Sequence, residues 1–459
     1  MKNQTLETDY LIVGCGAAGM AFADSLIAES DAQIIMVDRR HVPGGHWLEA
    51  YPFVRLHQPS AFYGVNSMPL GDNTIDQYGL NAGMMERASG AEIVGYFRQV
   101  MDKHLLPSGK VRYFPMCDYI GGHTFVSRTS GNTYRVKVRK KIVDANYLQP
   151  SVPASYPPNF TVDKDVHCVT VNDITNLSAA AECYVIIGGG KTGIDTCLWL
   201  LENEVAPDDI CWIRPRDSWL ANRRSFQPGE LAFESFSLIV QASAQAQSPQ
   251  DFVARLTDCQ QFFPMDEDVE PTMFKYATVN ETELTMIRSI KNIVRLGRVQ
   301  RIERDQIILE QGSVPTGPNN LHVHCAAPGL RLMPNKPIFT DDSITLQAIR
   351  PGSTPFAAAI TAYIEATRDD TEKKNKLCPP NPFMDVPTDL IRNTLIGLNA
   401  DYQWNKHPDI VAWLKHSRLN MVHGIQQQVD KPRVQQAMQR FVENAQHAVV
   451  NLQRLAREL

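Results

Sequence analysis

None of the nine cysteines in this 459-residue chain stands in a CxxC or CxxxxC pair, which excludes electron transfer through a closely spaced dithiol. Many of them sit in apolar stretches and read as small core residues in a reducing compartment. No apolar run is long enough to span a membrane. The N-terminus also lacks a basic region followed by a long apolar one, so a cytoplasmic location is expected. Positive charge is not in excess: the net charge is -5 and the pI about 6.2, which gives no reason to expect a nucleic-acid partner. The basic stretch at residues 135–141 alternates with valine at first and reads as the wet face of a strand. No metal site is expected.

What the chain does have is a glycine-rich turn, twice. Tyr10-Leu11-Ile12-Val13 is a short apolar run followed by GCGAAG, spanning Gly14, Gly16, Ala17, Ala18 and Gly19. Such a run reads as a buried parallel strand, with a helix starting near Ala17. Gly14 allows the tight turn, Gly16 lets the backbone approach a pyrophosphate, and Gly19 lets the helix pack on the strand. The pyrophosphate then meets free amides at the helix N-terminus. Ile34-Ile35-Met36-Val37 follows and ends at Asp38-Arg39, where an acidic residue accepts from a ribose hydroxyl.

The second turn, GGGKTG, follows Tyr184-Val185-Ile186-Ile187 and carries Gly188, Gly190, Lys191, Thr192 and Gly193. Its next apolar run, Ile210-Cys211-Trp212-Ile213, ends at Arg214 and Arg216 rather than at an acid. A guanidinium there suits a 2′-phosphate, which favours NADPH over NADH, and Lys191 adds positive charge beside the same ligand. Two dinucleotides are therefore expected in one chain, most simply a flavin and a nicotinamide.

A chain of this length exceeds one ordinary domain. Residues 1–150 read as the first part of an FAD-binding domain, and the prolines at 150, 153, 157 and 158 mark a stiff connection out of it. Residues 151–317 read as the NAD(P)H-binding domain, with a helical insert at 217–290. Residues 318–370 read as the second part of the FAD-binding domain and 371–459 as a C-terminal helical region. Within this frame, the charged residues 303–306 separate two β-compatible segments like a hairpin turn. Cys325 to Gly329 is a run of small residues where a chain can pass close to a ligand. Ser353 or Thr354 can cap a helix whose first turn holds Pro355 and Phe356. If that helix points its N-terminus at a flavin ring, its amides stabilise the charge that reduction adds. The last helix carries an apolar stripe including Val434, Met438, Phe441, Val442 and Leu452. Phe233, Phe236, Phe262, Phe263, Trp404 and Trp413 are candidates for an apolar substrate pocket.

GCGAAG with Asp38, the later Gly44-Gly45-His46-Trp47, GGGKTG and the small-residue strand end at 325–329 together resemble the flavin-containing and Baeyer-Villiger-like monooxygenases, over about residues 8–367. The resemblance implies an α/β fold of two Rossmann-like dinucleotide-binding domains, the NADPH domain inserted in the FAD domain. It implies FAD in the first site, NADPH in the second, and oxygenation of a small organic substrate by molecular oxygen through a C4a-(hydro)peroxyflavin. Gly45 and Trp47 would lie beside the flavin, with His46 as a further contact. His57 and Gln58 stand where many members carry an asparagine, and are the candidate catalytic pair. The chain departs from the group at its FxGxxxH signature, since Phe160 is followed by Thr161-Val162-Asp163 and His167 comes one place late. A flavin-dependent dehydrogenase or oxidase and a non-catalytic FAD/NADPH sensor stay open as alternatives. So do the substrate and a homo-oligomeric state.

Overall fold

The computed structural model describes residues 3–329 and 332–459. Its first sheet is built around Asn3–Val13, with Ile34–Val37 parallel on one side and Thr133–Asp144 parallel on the other. All four residues of Ile34–Val37 are buried, which is why that strand is continuously apolar. Val111–Phe114 extends the sheet beyond it. Ser343–Thr345 joins the far end of Thr133–Asp144 in parallel, while the antiparallel strands Thr124–Ser127 and Cys117–Gly121 complete seven strands.

The second sheet has five parallel strands in the order Ile293–Val294, Ile210–Ile213, Cys183–Ile187, Asn320–His324, Cys168–Thr170. In both sheets the strand that feeds the glycine turn lies between the next strand of its unit and a later one, Thr133–Asp144 or Asn320–His324, the reversal of strand order that opens a crevice at the carboxyl ends. The fold is therefore α/β with two Rossmann-like sheets. The second is threaded into the first, because the chain leaves the first sheet at Asp144 and returns to it at Ser343.

Three expectations need correction. Residues 320–324 belong to the second sheet rather than to the returning part of the first, since Leu321 and Val323 pair with Tyr184 and Ile186. The segment at 217–290 is not purely helical. Besides the helices Glu230–Gln245, Pro249–Asp258 and Glu281–Ile287 it holds a three-stranded sheet of Phe262–Pro264, Trp219–Asn222 and Thr278–Val279. Trp219–Asn222 is buried along its whole length, so its backbone groups must pair away from water. Finally, Met438 and Val442 of the last helix, Pro432–Leu455, are 48% and 73% exposed. Val434, Ala437, Ala448 and Leu452 are the buried ones, and Ala448 and Leu452 pack with Val240 and Ala242 of the helix Glu230–Gln245. The charged residues 303–305 do join an antiparallel hairpin of Val299–Ile302 and Gln306–Leu309, Gln306 being the first residue of the second strand.

The helix Thr354–Thr367 packs along Ala17–Glu29 under the first sheet. Its start is held by Phe356, which lies edge-on to Trp404 at 6.0 Å. Trp404 is fully buried, and its Nε1 donates to the Leu377 carbonyl at 2.7 Å. Among the described residues no helix is long and apolar enough to cross a membrane. Trp404→Ala leaves both a cavity and an unpaired carbonyl, and the expected loss is about 3–5 kcal/mol of stability, read from urea unfolding.

Candidate functional site

The two glycine turns fold alike down to single hydrogen bonds. Gly14 N–H donates to the Val37 carbonyl at 2.8 Å, and Gly188 N–H donates to the Ile213 carbonyl at 3.0 Å. Gly14 and Gly188 have φ of 108° and 130°, which disfavours any side chain. A Cβ on Gly19 would lie 2.0 Å from the Gly14 carbonyl oxygen, and one on Gly193 would lie 2.2 Å from that of Gly188. Each turn leads into a helix, Ala17–Glu29 or Lys191–Glu202, with no side-chain cap at its N-terminus. The first amides of both helices are therefore left for another acceptor.

Both turns open into one cavity of about 910 Å³. Gly16, Ala17, Ala18 and Asp38 line it from the first sheet, and Gly188, Gly190, Lys191 and Thr192 from the second. Gly45, His46 and Trp47 lie against the first turn, so closely that a Cβ on Gly45 would come within 2.9 Å of Gly16 Cα. Cys325 to Gly329 passes the second turn, and a Cβ on Gly188 would meet Ala326 N at 3.2 Å. Asp38 Oδ2 accepts from Cys15 N–H at 2.6 Å and Oδ1 from Arg40 N–H at 2.8 Å, each oxygen keeping a further acceptor site. Arg39 and Gly14 line a smaller cavity of about 520 Å³ that shares Asp38 with the first. Gly19, Gly193 and Phe356 do not reach the cavity.

Ser353, Thr354 and Pro355 line it at the start of the helix Thr354–Thr367, which has no side-chain cap. Ser353 Oγ lies instead 3.9 Å from Met421 Sδ, so the amides of that turn remain available. The expected Ser353 or Thr354 cap is absent.

His57 and Gln58 both line the cavity. A Cβ on Gly352 would lie 4.0 Å from Gln58 Oε1, which sets that amide beside the same helix start. Burial, then the Lys191 charge, draws His57 down to about 3. Burial and then Arg40 draw His46 down to about 4. Both rings are neutral near pH 7, each offering one donor and one acceptor.

The basic residues divide. Arg214 does not line the cavity: its guanidinium is buried, stacks over Trp212 at 4.7 Å and pairs with Asp266 and Asp217. A buried guanidinium is retained by carboxylates, which is why it faces away from the open side. Arg216 does line it, with Asp385 at 3.2 Å. Lys191 pairs with Asp195, whose other oxygen accepts from Tyr51 Oη at 2.6 Å. Burial pushes Asp195 up, but Lys191, His57 and the Tyr51 hydrogen bond together outweigh it, and the carboxyl lies below its ordinary value.

Sequence reasoning missed Lys275 and Arg298, which also line the cavity, because neither lies near a motif. Nor do the proposed aromatics form the apolar wall. Phe262 and Trp404 are core, and Phe236 stacks on Phe441 at 5.5 Å. Phe226, Met273, Tyr276, Phe383, Met384 and Met421 line the cavity instead. Among the described residues no group of three His, Cys, Asp or Glu is arranged to hold a metal ion.

No protein-family model matches the chain. An uncharacterized protein of Mycobacterium tuberculosis is 45% identical over 439 residues, covering 94% of this chain and 81% of that protein. An uncharacterized protein of Mycobacterium bovis matches to the same extent. Among solved structures, a cyclohexanone-bound cyclohexanone monooxygenase is 12% identical with a TM-score of 0.48, over 89% of this chain and 98% of that one. A flavin-containing monooxygenase from Stenotrophomonas maltophilia is 14% identical with a TM-score of 0.41, over 89% and 99%.

The two depressed histidines have a measurable consequence. Unfolded, both rings take up a proton as the pH falls below the ordinary 6.5, whereas folded they stay neutral down to about 4 and about 3. The unfolded state then binds more protons, so stability is lost as the pH drops from 6.5 towards 4. Urea midpoints across that range should fall less steeply in His46→Gln and His57→Gln than in the parent.

Proposed function

The chain belongs to one family with the uncharacterized mycobacterial proteins, and we propose that it is an FAD-dependent, NADPH-using monooxygenase of a small organic substrate. The observation that carries this reading is the single cavity onto which both glycine turns open. Two dinucleotides bound at those turns would meet in one cavity, as hydride transfer between them requires.

The residues present fit both groups. For FAD, Gly16 stands in the cavity wall and the uncapped helix Ala17–Glu29 supplies amides for a pyrophosphate. Asp38 retains acceptor sites for a ribose hydroxyl, and the open amide at Thr354 suits the electron-rich edge of a reduced ring. For NADPH, the uncapped helix Lys191–Glu202 takes the pyrophosphate, while Arg216, Lys275 and Arg298 offer cationic groups to a 2′-phosphate. When bound, FAD supplies the redox centre that accepts hydride from NADPH and meets oxygen.

The chain's own contribution is then binding, orientation and water exclusion. Gln58 can donate its amide next to the helix start, and neutral His57 can donate or accept one hydrogen bond without bringing a charge. Phe226, Met273, Phe383 and Met421 form an apolar wall that strengthens every polar contact made inside.

The test is to add NADPH to the purified, FAD-supplied protein under nitrogen, then admit air and candidate substrates. Bleaching of the yellow flavin, followed by oxygenated product matching NADPH consumed, is expected. A flavin that stays yellow, substrate oxidation without NADPH, or peroxide as the sole fate of the reducing equivalents would sink the reading. Arg216→Ala should weaken NADPH about tenfold or more by fluorescence titration and leave NADH nearly unaffected, as loss of a charge-assisted hydrogen bond to the 2′-phosphate demands.

A further inference from the structure

Six non-glycine residues have φ in the left-handed region among the described residues, and Tyr276, at φ 60°, is the one that lines the cavity. A bulky aromatic in that conformation is strained, and such strain persists only where the surroundings over-determine it. Here they do. Thr278 Oγ1 donates to the Tyr276 carbonyl at 3.1 Å, and the ring is held between Phe226 at 5.6 Å and Phe274 at 5.1 Å. Beneath the turn, the fully buried Arg223 guanidinium donates through Nη2 to the Thr278 carbonyl at 3.2 Å and through Nε to the His57 carbonyl at 3.1 Å. One side chain thereby ties the turn carrying Tyr276 to the segment carrying His57 and Gln58.

The phenol at the end of this support makes no hydrogen bond with any described residue, its oxygen is not fully buried, and Tyr276 lines the cavity. Nothing in the fold therefore requires the hydroxyl. Burial pushes it up to about 12, so it stays protonated and able to donate across the physiological range. The side chains of Phe226, Met273, Met384 and Met421 in the same lining carry no N–H or O–H donor, and the Thr278 hydroxyl beside it is already spent on the Tyr276 carbonyl.

We propose that the Tyr276 hydroxyl is the hydrogen-bond donor that orients the substrate, a small apolar molecule bearing one oxygen or nitrogen acceptor. Arg223 acts as the positioning residue that holds this donor against the His57 and Gln58 side of the cavity. The role as substrate contact rests on the monooxygenase reading; the contact itself is a matter of binding and is tested as such.

The experiment is calorimetric titration of the purified chain, saturated with FAD and NADP+, with cyclohexanone, which has a carbonyl acceptor, and with thioanisole, which has no oxygen or nitrogen acceptor. Tyr276→Phe keeps the ring and its packing, and an unchanged unfolding midpoint checks that it folds. The variant is expected to bind cyclohexanone about fivefold more weakly or worse, as one neutral hydrogen bond requires, with thioanisole affinity unchanged. Equal weakening of both probes, no weakening of either, or no cyclohexanone binding by the parent protein overturns the proposal. Calorimetry consumes neither NADPH nor oxygen. Binding through Tyr276 in a protein whose flavin NADPH does not bleach would therefore refute the monooxygenase reading alone.

Discussion

Close approach of bare backbone is the constraint on which this molecule is built. At both turns a carbonyl oxygen stands about where a Cβ of the last glycine would be, 2.0 Å away at Gly19 and 2.2 Å away at Gly193. That contact seats each helix on its strand, and seating the helix aims its uncapped amides at the open end of the sheet. Gly45 repeats the principle between segments, since its backbone packs on Gly16 at a distance no side chain would permit. The cavity exists because these approaches leave room beside them rather than filling it.

A second constraint joins the pieces that the first one shapes. Glu283 lies between two buried guanidiniums, with Arg223 Nη2 at 2.8 Å and Arg87 Nη2 at 3.3 Å. Burial pushes its carboxyl up, but Arg223, Lys191 and Arg87 together hold it below its ordinary value. The same carboxylate closes the capping box of the helix Glu281–Ile287 by accepting from Asn280 N–H at 3.0 Å. Removing one member of such a buried set typically costs about 3–5 kcal/mol because the others are left unpaired. Its value to the site is geometric: Arg87 grips the Leu56 carbonyl, Arg223 the His57 carbonyl, and the insert is locked to the wall of the cavity.

Legibility in the sequence follows how local each feature is. A glycine turn declares itself because strand, turn and helix are consecutive, and the hairpin at 299–309 for the same reason. Arg214 and Arg216 looked equivalent, being two residues apart after one strand. Asp266 and Asp217 turned the first inward, and Asp266 comes from a loop fifty residues later. Lys275, Arg298 and Tyr276 carry no signal of their own, since only the tertiary fold brings them to the cavity, the first and last from the insert and Arg298 from the turn before Val299–Ile302. The strand at 320–324 joins the second sheet, a choice that a buried apolar run does not encode when two similar sheets compete for it.

By itself, then, the sequence determined an α/β chain with two strand-turn-helix units, since short-range sterics at glycine leave those segments few alternatives. Only the tertiary structure decided that both units open onto one cavity, which cations face it, and that a strained tyrosine stands in its wall. These depend on contacts between residues tens to hundreds of positions apart, and no local preference encodes which buried charge finds which partner.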